Sequence, residues 1–323
     1  MAAVPTLAHF PYWFTATLAV CFGLALGSFL NVVIYRLPRE KSLWRPGSAC
    51  PACSTPIRAY DNIPVLSWLL LRGHARCCGA RISPRYPLIE LVGGLLCWAI
   101  LQRLVLALPS ETEWWRALLV FVMYAAVGLG LVAAAFIDLE HMLLPDPITM
   151  GGTALGVLSV LLRPEHTLLD SLLGAGGGFL MVWLPFDLLY RLVRGRSGMG
   201  VGDAKLVMLA GAWFGWPGAL FALLAGAVQG TVFALGLFFV HGSIEEPAAV
   251  KQEREERRRE IEAAEGEERE ALQQELARDP IGHDPEPGLG KARLAFGPFL
   301  VLATLEYLLF GDLVLQEYMK LLW

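Results

Sequence analysis

Charge is scarce in this sequence. Of 323 residues only 17% are charged and 55% are hydrophobic, with a mean hydropathy of +0.52. A soluble globular domain carries roughly a quarter charged residues, so an ordinary soluble enzyme is excluded. A charged N-terminal head is missing too: the first Lys, Arg, Asp or Glu is Arg36. A secretory signal would begin with a positive segment and end at a small-residue cleavage site, so 12–35 is expected to be a retained first transmembrane helix. No strong net charge is present. The balance is −4, from 26 basic and 30 acidic residues, and the acidic excess comes from one stretch near the C-terminus. That excludes a broadly basic nucleic-acid binder, and no nucleic-acid partner is expected. Internal repeats and a glycine-rich nucleotide loop are also lacking.

The apolar residues come in long runs. Residues 87–108 carry only Glu90 and Arg103, and 117–137 carry no charge at all. Residues 147–162 and 167–190 follow, the second with Asp170 and Asp187. Residues 206–240 are uncharged over 35 positions, too long for one helix across about 30 Å of hydrocarbon. Trp216-Pro217-Gly218 supplies a break, which predicts a short helix followed by a full one. A last span covers about 294–318. The expected fold is an all-α polytopic membrane protein with about eight transmembrane helices and a small zinc-knuckle-like cytoplasmic segment, in a lipid bilayer.

Lys and Arg near helix ends set orientation. Segment 36–87 has nine basic residues against Glu40 and Asp61, so it is read as cytoplasmic, with the N-terminus outside. Alternation then puts 138–146, 191–205 and 242–293 inside. The domain reading is a first helix (1–35), a cysteine-containing cytoplasmic segment (36–87), a membrane core (88–241), a charged cytoplasmic insertion (242–292) and a last helix (293–323). Within the insertion, residues 245–279 hold 13 acidic and 7 basic residues at i,i+3 and i,i+4 spacing, which predicts a solvated helix.

Six cysteines occur. Cys21 and Cys97 fall inside predicted spans and behave as small apolar residues. Cys50, Cys53, Cys77 and Cys78 share one reducing segment, where a structural disulfide is not expected. A Cys-x-x-Cys turn followed about 25 residues later by more cysteine is the pattern of a zinc site. The second half departs from it, because Cys77 and Cys78 are adjacent, and His74 is the nearby substitute ligand. The competing reading is a set of reduced thiols in a loop folded by other contacts.

Carboxylates at the edge of a membrane span are costly and need a reason. Asp138 follows the uncharged third run, and Asp203 closes Gly200-Val201-Gly202-Asp203. The topology puts both at cytoplasmic helix ends and at similar depth. Two carboxylates in close approach do not both ionise, so one serves as acid and the other as base on a water. That pair hydrolyses a peptide without metal or covalent intermediate. Gly200 and Gly202 let a substrate strand approach the backbone, and Lys205 is placed with them as a substrate-side residue. Either aspartate alone could equally be a helix cap or a snorkelling partner for arginine. A transporter using Asp138 and Asp203 as proton or cation sites is the alternative.

The motifs, taken in order, resemble the type IV prepilin peptidase family. Gly27-Ser28-Phe29-Leu30-Asn31-Val32-Val33 with Arg36-Leu37-Pro38 is similar to its first-helix signature. Cys50-Pro51-Ala52-Cys53 is similar to its zinc knuckle. Asn62-Ile63-Pro64, Leu71-Arg72-Gly73 and Ile82-Ser83-Pro84-Arg85-Tyr86-Pro87-Leu88-Ile89-Glu90 continue the match. The run from Asp138 to Asp146 resembles the first catalytic motif, and Gly200-Val201-Gly202-Asp203-Ala204-Lys205-Leu206 the second. Phe296-Gly297-Pro298-Phe299-Leu300 resembles the start of the last helix. Two departures stand out. The family's third cysteine would fall at Ala75, and the insertion is unusually long.

The resemblance implies a multi-pass aspartic endopeptidase of the bacterial inner membrane, with Asp138 and Asp203 as its pair. Its substrates would be type IV prepilins and type II secretion pseudopilins, cut after glycine at the cytoplasmic face. Many members then methylate the new N-terminus with S-adenosylmethionine, an activity associated with the segment equivalent to 36–87. Zinc on Cys50, Cys53, Cys77 and Cys78 is the implied metal.

Overall fold

The computed structural model describes residues 6, 9–164, 166–194, 198–241, 247–278 and 294–322. Among these residues the fold is helical, with isolated β-bridges and no strands. Eleven α-helices are described: α1 Tyr12–Arg36, α2 Leu66–Leu70, α3 Arg85–Ile100, α4 Trp114–His141, α5 Asp146–Ser159, α6 Leu168–Val182, α7 Tyr190–Arg194, α8 Val201–His241, α9 Ala248–Ala263, α10 Gly266–Arg278 and α11 Gly297–Leu322. Among the described residues, five stretches are long and apolar enough to cross a membrane: Tyr12–Arg39, Arg85–Val105, Trp114–His141, Leu168–Val193 and Val201–Val240. The chain divides into two compact units, Met1–Ala133 and Ala134–Trp323.

In the first unit α1 lies against α3 through small residues. A Cβ placed on Gly27 would sit 2.7 Å from the Glu90 Cα, and Gly23 and Gly93 meet backbone to backbone. In hydrocarbon, where apolar burial gives little drive, such close approach is what holds helices together. The polar residues of the first motif are therefore scaffold. Asn31 donates from Nδ2 to the Tyr86 carbonyl at 3.2 Å. Arg36 gathers the carbonyls of Ser42 at 3.0 Å and Pro46 at 2.7 Å, pinning the chain that leaves α1. The buried Glu90 accepts the Val65 N–H at 2.7 Å, and Val65 is held at φ 62, a costly conformation for a β-branched residue.

The second unit is organised around α8. Its 41 residues would reach about 60 Å as one straight helix, twice the hydrocarbon thickness. The backbone instead breaks at Gly215 (φ 67, ψ −169), two residues before Pro217. Proline has no N–H, so the carbonyl four residues earlier, that of Trp213, loses its helical donor. The buried Arg163 replaces it, giving Nη1 to the Trp213 carbonyl at 2.8 Å. Ser171 donates to the neighbouring Ala212 carbonyl at 2.6 Å. The freed groups of a broken membrane helix are thus paired by neighbouring elements. The helix α6 packs onto this bend: a Cβ on Gly174 would meet the Gly215 Cα at 2.7 Å, and one on Gly178 the Val207 carbonyl at 2.7 Å.

The break expected at Trp216-Pro217-Gly218 is present, with Gly215 as the residue that turns. Residues 147–162, expected as a span, form instead the 14-residue α5, about 21 Å long and short of the hydrocarbon core. Its sequence opens with Asp146-Pro147, a good first turn, and carries three glycines that lower its helical tendency. The charged insertion contributes two helices, α9 and α10, separated by a turn in which Gly266 takes φ 61.

Candidate active site

Asp138 lies in the last turn of α4 and is buried. Its carbonyl accepts the Met142 N–H at 2.9 Å, and Met142 turns the chain at φ 51 toward α5. Asp203 lies in the first turn of α8, half-buried, with its N–H on the Gly200 carbonyl at 3.1 Å. The chain ahead of it is tied down where the Gly198 N–H meets the Phe186 carbonyl at 3.0 Å. The two aspartates, 65 residues apart in sequence, come close enough for the charge of Asp138 to act on Asp203.

Leu144 explains why these segments meet. It is buried between the two motifs and the start of α11. A Cβ on Gly202 would sit 3.1 Å from the Leu144 Cβ, and one on Gly297 would sit 3.1 Å from its Cδ2. The glycine spacing before Asp203 therefore has a packing use, because Gly202 leaves room for Leu144. Gly200 is open: its nearest side-chain atom is Asp203 Oδ2, 3.6 Å from a placed Cβ. That leaves room for a strand to run past the carboxylate.

Sequence reasoning placed Gly297 only at the start of the last helix. In the structure its backbone N–H is directed at the Asp138 carboxylate, and a Cβ there would lie 2.6 Å from Asp138 Oδ2. The positive end of α11 thus faces this carboxylate. A glycine followed by proline at the head of a helix was the available signal. Asp138 Oδ2 itself is buried and has no hydrogen-bond partner among the described residues. A buried carboxylate oxygen without a hydrogen-bond donor calls for an explanation, and a donor such as a water would satisfy it. Lys205 forms an ion pair with Asp146, Nζ to Oδ1 at 2.6 Å. It joins the first turns of α8 and α5, and Asp146 is largely exposed there.

The cysteines gather in the first unit. Cys50, Cys53, Cys77 and Cys78 place their Sγ atoms within 4.8 Å of one another. Cys50 to Cys78 is 3.7 Å, Cys53 to Cys77 is 3.3 Å, and Cys77 to Cys78 is 3.9 Å. Zinc–sulfur bonds of about 2.3 Å in a tetrahedron put sulfurs about 3.8 Å apart, so the set fits one metal ion. The adjacency of Cys77 and Cys78 is no obstacle. His74 is outside the group, with Nδ1 against the Arg72 carbonyl at 2.8 Å. The Thr55 hydroxyl and backbone draw the Cys53 thiol down to about 6, while the hydrogen bond shared with Cys53 pushes the Cys77 thiol up to about 12. The remaining thiols would give up their protons as a cation binds.

Comparison with known proteins adds to this geometry. Residues 21–104 match the bacterial peptidase A24 N-terminal domain, and residues 125–235 match the type IV leader peptidase family. The chain is 37% identical over 265 residues to the prepilin leader peptidase/N-methyltransferase of Aeromonas salmonicida (strain A449), covering 74% of this chain and 87% of that protein. The protein of the same name from Aeromonas hydrophila is 39% identical over 264 residues, with the same coverage. That from Pectobacterium carotovorum subsp. carotovorum is 36% identical over 247 residues, covering 70% and 84%. No solved structure gives a significant match.

Proposed function

The chain belongs to the type IV leader peptidase family, and from that premise we propose that Asp138 and Asp203 are the aspartic pair that cuts the leader from type IV prepilins. It is a membrane-embedded prepilin leader peptidase with N-methyltransferase activity. The observation that carries the residue assignment is the meeting of the two aspartate motifs at Leu144, with Asp138 Oδ2 buried beside Gly297 and without a hydrogen-bond partner among the described residues.

The chemistry follows from the pair. One carboxylate is ionised and takes a proton from water, which attacks the scissile carbonyl. The other is protonated and donates a hydrogen bond to the carbonyl oxygen as negative charge develops there. When the C–N bond breaks, the proton passes to the departing amine. The Gly297 N–H orients Asp138, and the open face at Gly200 admits the extended substrate backbone. Lys205 acts through Asp146, holding the two motif-bearing turns together. A prepilin rests with its apolar helix in the bilayer, so its leader junction lies at the interface. We place that interface on the cytoplasmic side of a bacterial inner membrane, with cleavage after glycine and a periplasmic N-terminus. Pseudopilins share this architecture and fall in the same substrate class. The transporter reading is not supported, because the match to the leader peptidase family, residues 125–235, includes both aspartates.

S-adenosylmethionine supplies the methyl group as co-substrate, and none of the steps above depends on it. Cys50, Cys53, Cys77 and Cys78 would hold zinc, whose four thiolates leave no open coordination position. Its contribution is to fold a segment with few buried apolar side chains. Co-expression with a type IV prepilin, followed by intact mass of the pilin, tests the assignment. Loss of the leader with the added mass of one methyl group is the expected result. Full-length pilin beside folded enzyme would reject it. Reporter fusions at residues 60 and 200 test the orientation and are expected to report the cytoplasm; a periplasmic signal at either would overturn it.

A further inference from the structure

The cysteine segment contains two copies of one turn. Residues 49–56 are closed by a bridge between Ala49 and Pro56, and residues 74–81 by a bridge between His74 and Arg81. In the first turn the Cys50 N–H meets the Thr55 carbonyl at 2.9 Å, and the Ser54 N–H meets the Cys50 carbonyl at 2.8 Å. In the second the Ala75 N–H meets the Ala80 carbonyl at 2.8 Å, and the Gly79 N–H meets the Ala75 carbonyl at 2.8 Å. The fifth residue after the bridge is left-handed in both, Ser54 at φ 58 and Gly79 at φ 70. The opening positions match in burial as well: Cys50 is 4% exposed and Ala75 9%.

These hydrogen bonds fix a register. Position 53 corresponds to 78, and both are cysteine. Position 50 corresponds to 75, where the second turn has alanine. Cys77 corresponds to Ala52, which is not a ligand position in the first turn. Yet the Cys77 Sγ reaches 3.3 Å from Cys53 and 3.9 Å from Cys78. We propose that Cys77 supplies, from the wrong register of the second turn, the thiolate that the turn's symmetry assigns to position 75, and that this makes an asymmetric four-thiolate site for a soft divalent cation. The inward slot at Ala75 then remains able to take a thiol in its place. The inference rests on the zinc reading above and specifies which residues complete it.

The test uses the full-length protein in detergent, with metal content by mass spectrometry and cobalt(II) as the optical probe. Tetrahedral cobalt thiolates give sulfur-to-metal absorption that scales with the number of thiolates. The wild type is expected to bind one equivalent with a four-thiolate spectrum. Cys77→Ser is expected to lose about a quarter of the sulfur-to-metal intensity. Its affinity in competition with a chelator should fall at least about tenfold, since even outer-shell changes cost 10–100-fold. The double variant Ala75→Cys/Cys77→Ser is expected to recover both, and His74→Ala to change neither. Recovery in the double variant supports the register even if Cys77→Ser alone fails to fold. Metal bound by the wild type with an unchanged spectrum in Cys77→Ser would overturn this inference and leave the zinc reading standing. A double variant no better than the single one would overturn it too. A wild type that binds no metal would overturn both.

Discussion

Asp138 is placed by three contacts of different kinds: the end of its own helix, the Gly297 N–H, and the packing of Leu144 beneath both motifs. None of them occupies Oδ2, so the carboxylate is oriented without being used up. Gly297→Ala should therefore be severe for its size. Its Cβ would fall 2.6 Å from Asp138 Oδ2, and a displacement near 1 Å at a reacting group costs on the order of 100-fold in rate. Cleavage by purified enzyme in detergent should drop by about that factor while the thermal midpoint stays within a few degrees. Unchanged cleavage would mean that Gly297 does not position the carboxylate. Lys205 gives the opposite expectation. Its partner Asp146 is 62% exposed, and such pairs contribute at most about 1 kcal/mol. Asp146→Asn should leave thermal unfolding nearly unmoved. A large loss of stability would show that the clasp matters more than its exposure implies.

At the scale of the helix, α8 shows how a broken span is kept intact. Pro217 removes the donor for the Trp213 carbonyl, and Arg163 replaces it. Arg163→Met keeps much of the side-chain volume and removes that donor. An unsatisfied buried carbonyl costs about 1–3 kcal/mol, which predicts a lowered unfolding midpoint in detergent; an unchanged midpoint would contradict the pairing account. The break itself was legible, because a 35-residue uncharged run containing Trp216-Pro217-Gly218 cannot be one span. Which glycine turns was not legible. Gly215 and Gly218 lie on either side of the proline, and in the fold it is Gly215 that turns, packed against Gly174. The 14-residue length of α5 was hidden for a related reason, since its neighbours in sequence are apolar on both sides. The metal turns behave in the same way. Cys50, Cys53, Cys77 and Cys78 could be picked out as a set, but the equivalence of position 75 with position 50 exists only in the hydrogen bonds. Removing metal with a chelator should raise amide exchange across residues 48–82, a stretch that buries few apolar side chains. Exchange that stays protected would mean that the turns fold without an ion.

Across the whole molecule, two compact units divide the labour visible in the sequence. The first holds the cysteine turns, and the second holds both aspartates with everything that positions them. Asn31, Arg36 and Glu90 stand within the motifs of the sequence, and in the fold they are occupied with backbone groups. Asp138 and Asp203 were legible because an acid at the end of an uncharged span demands an explanation, and Gly297 was not, because it carries no side chain to demand one. The central claim is that these two carboxylates act together. The direct measurement is leader cleavage by purified wild type, Asp138→Asn and Asp203→Asn on one prepilin, followed by intact mass, with thermal unfolding run on each protein. The account predicts that each single variant folds and loses cleavage by at least about a thousandfold, and that the double variant is no worse than either, as for groups that act as a unit. Either single variant retaining substantial cleavage while folded would contradict it.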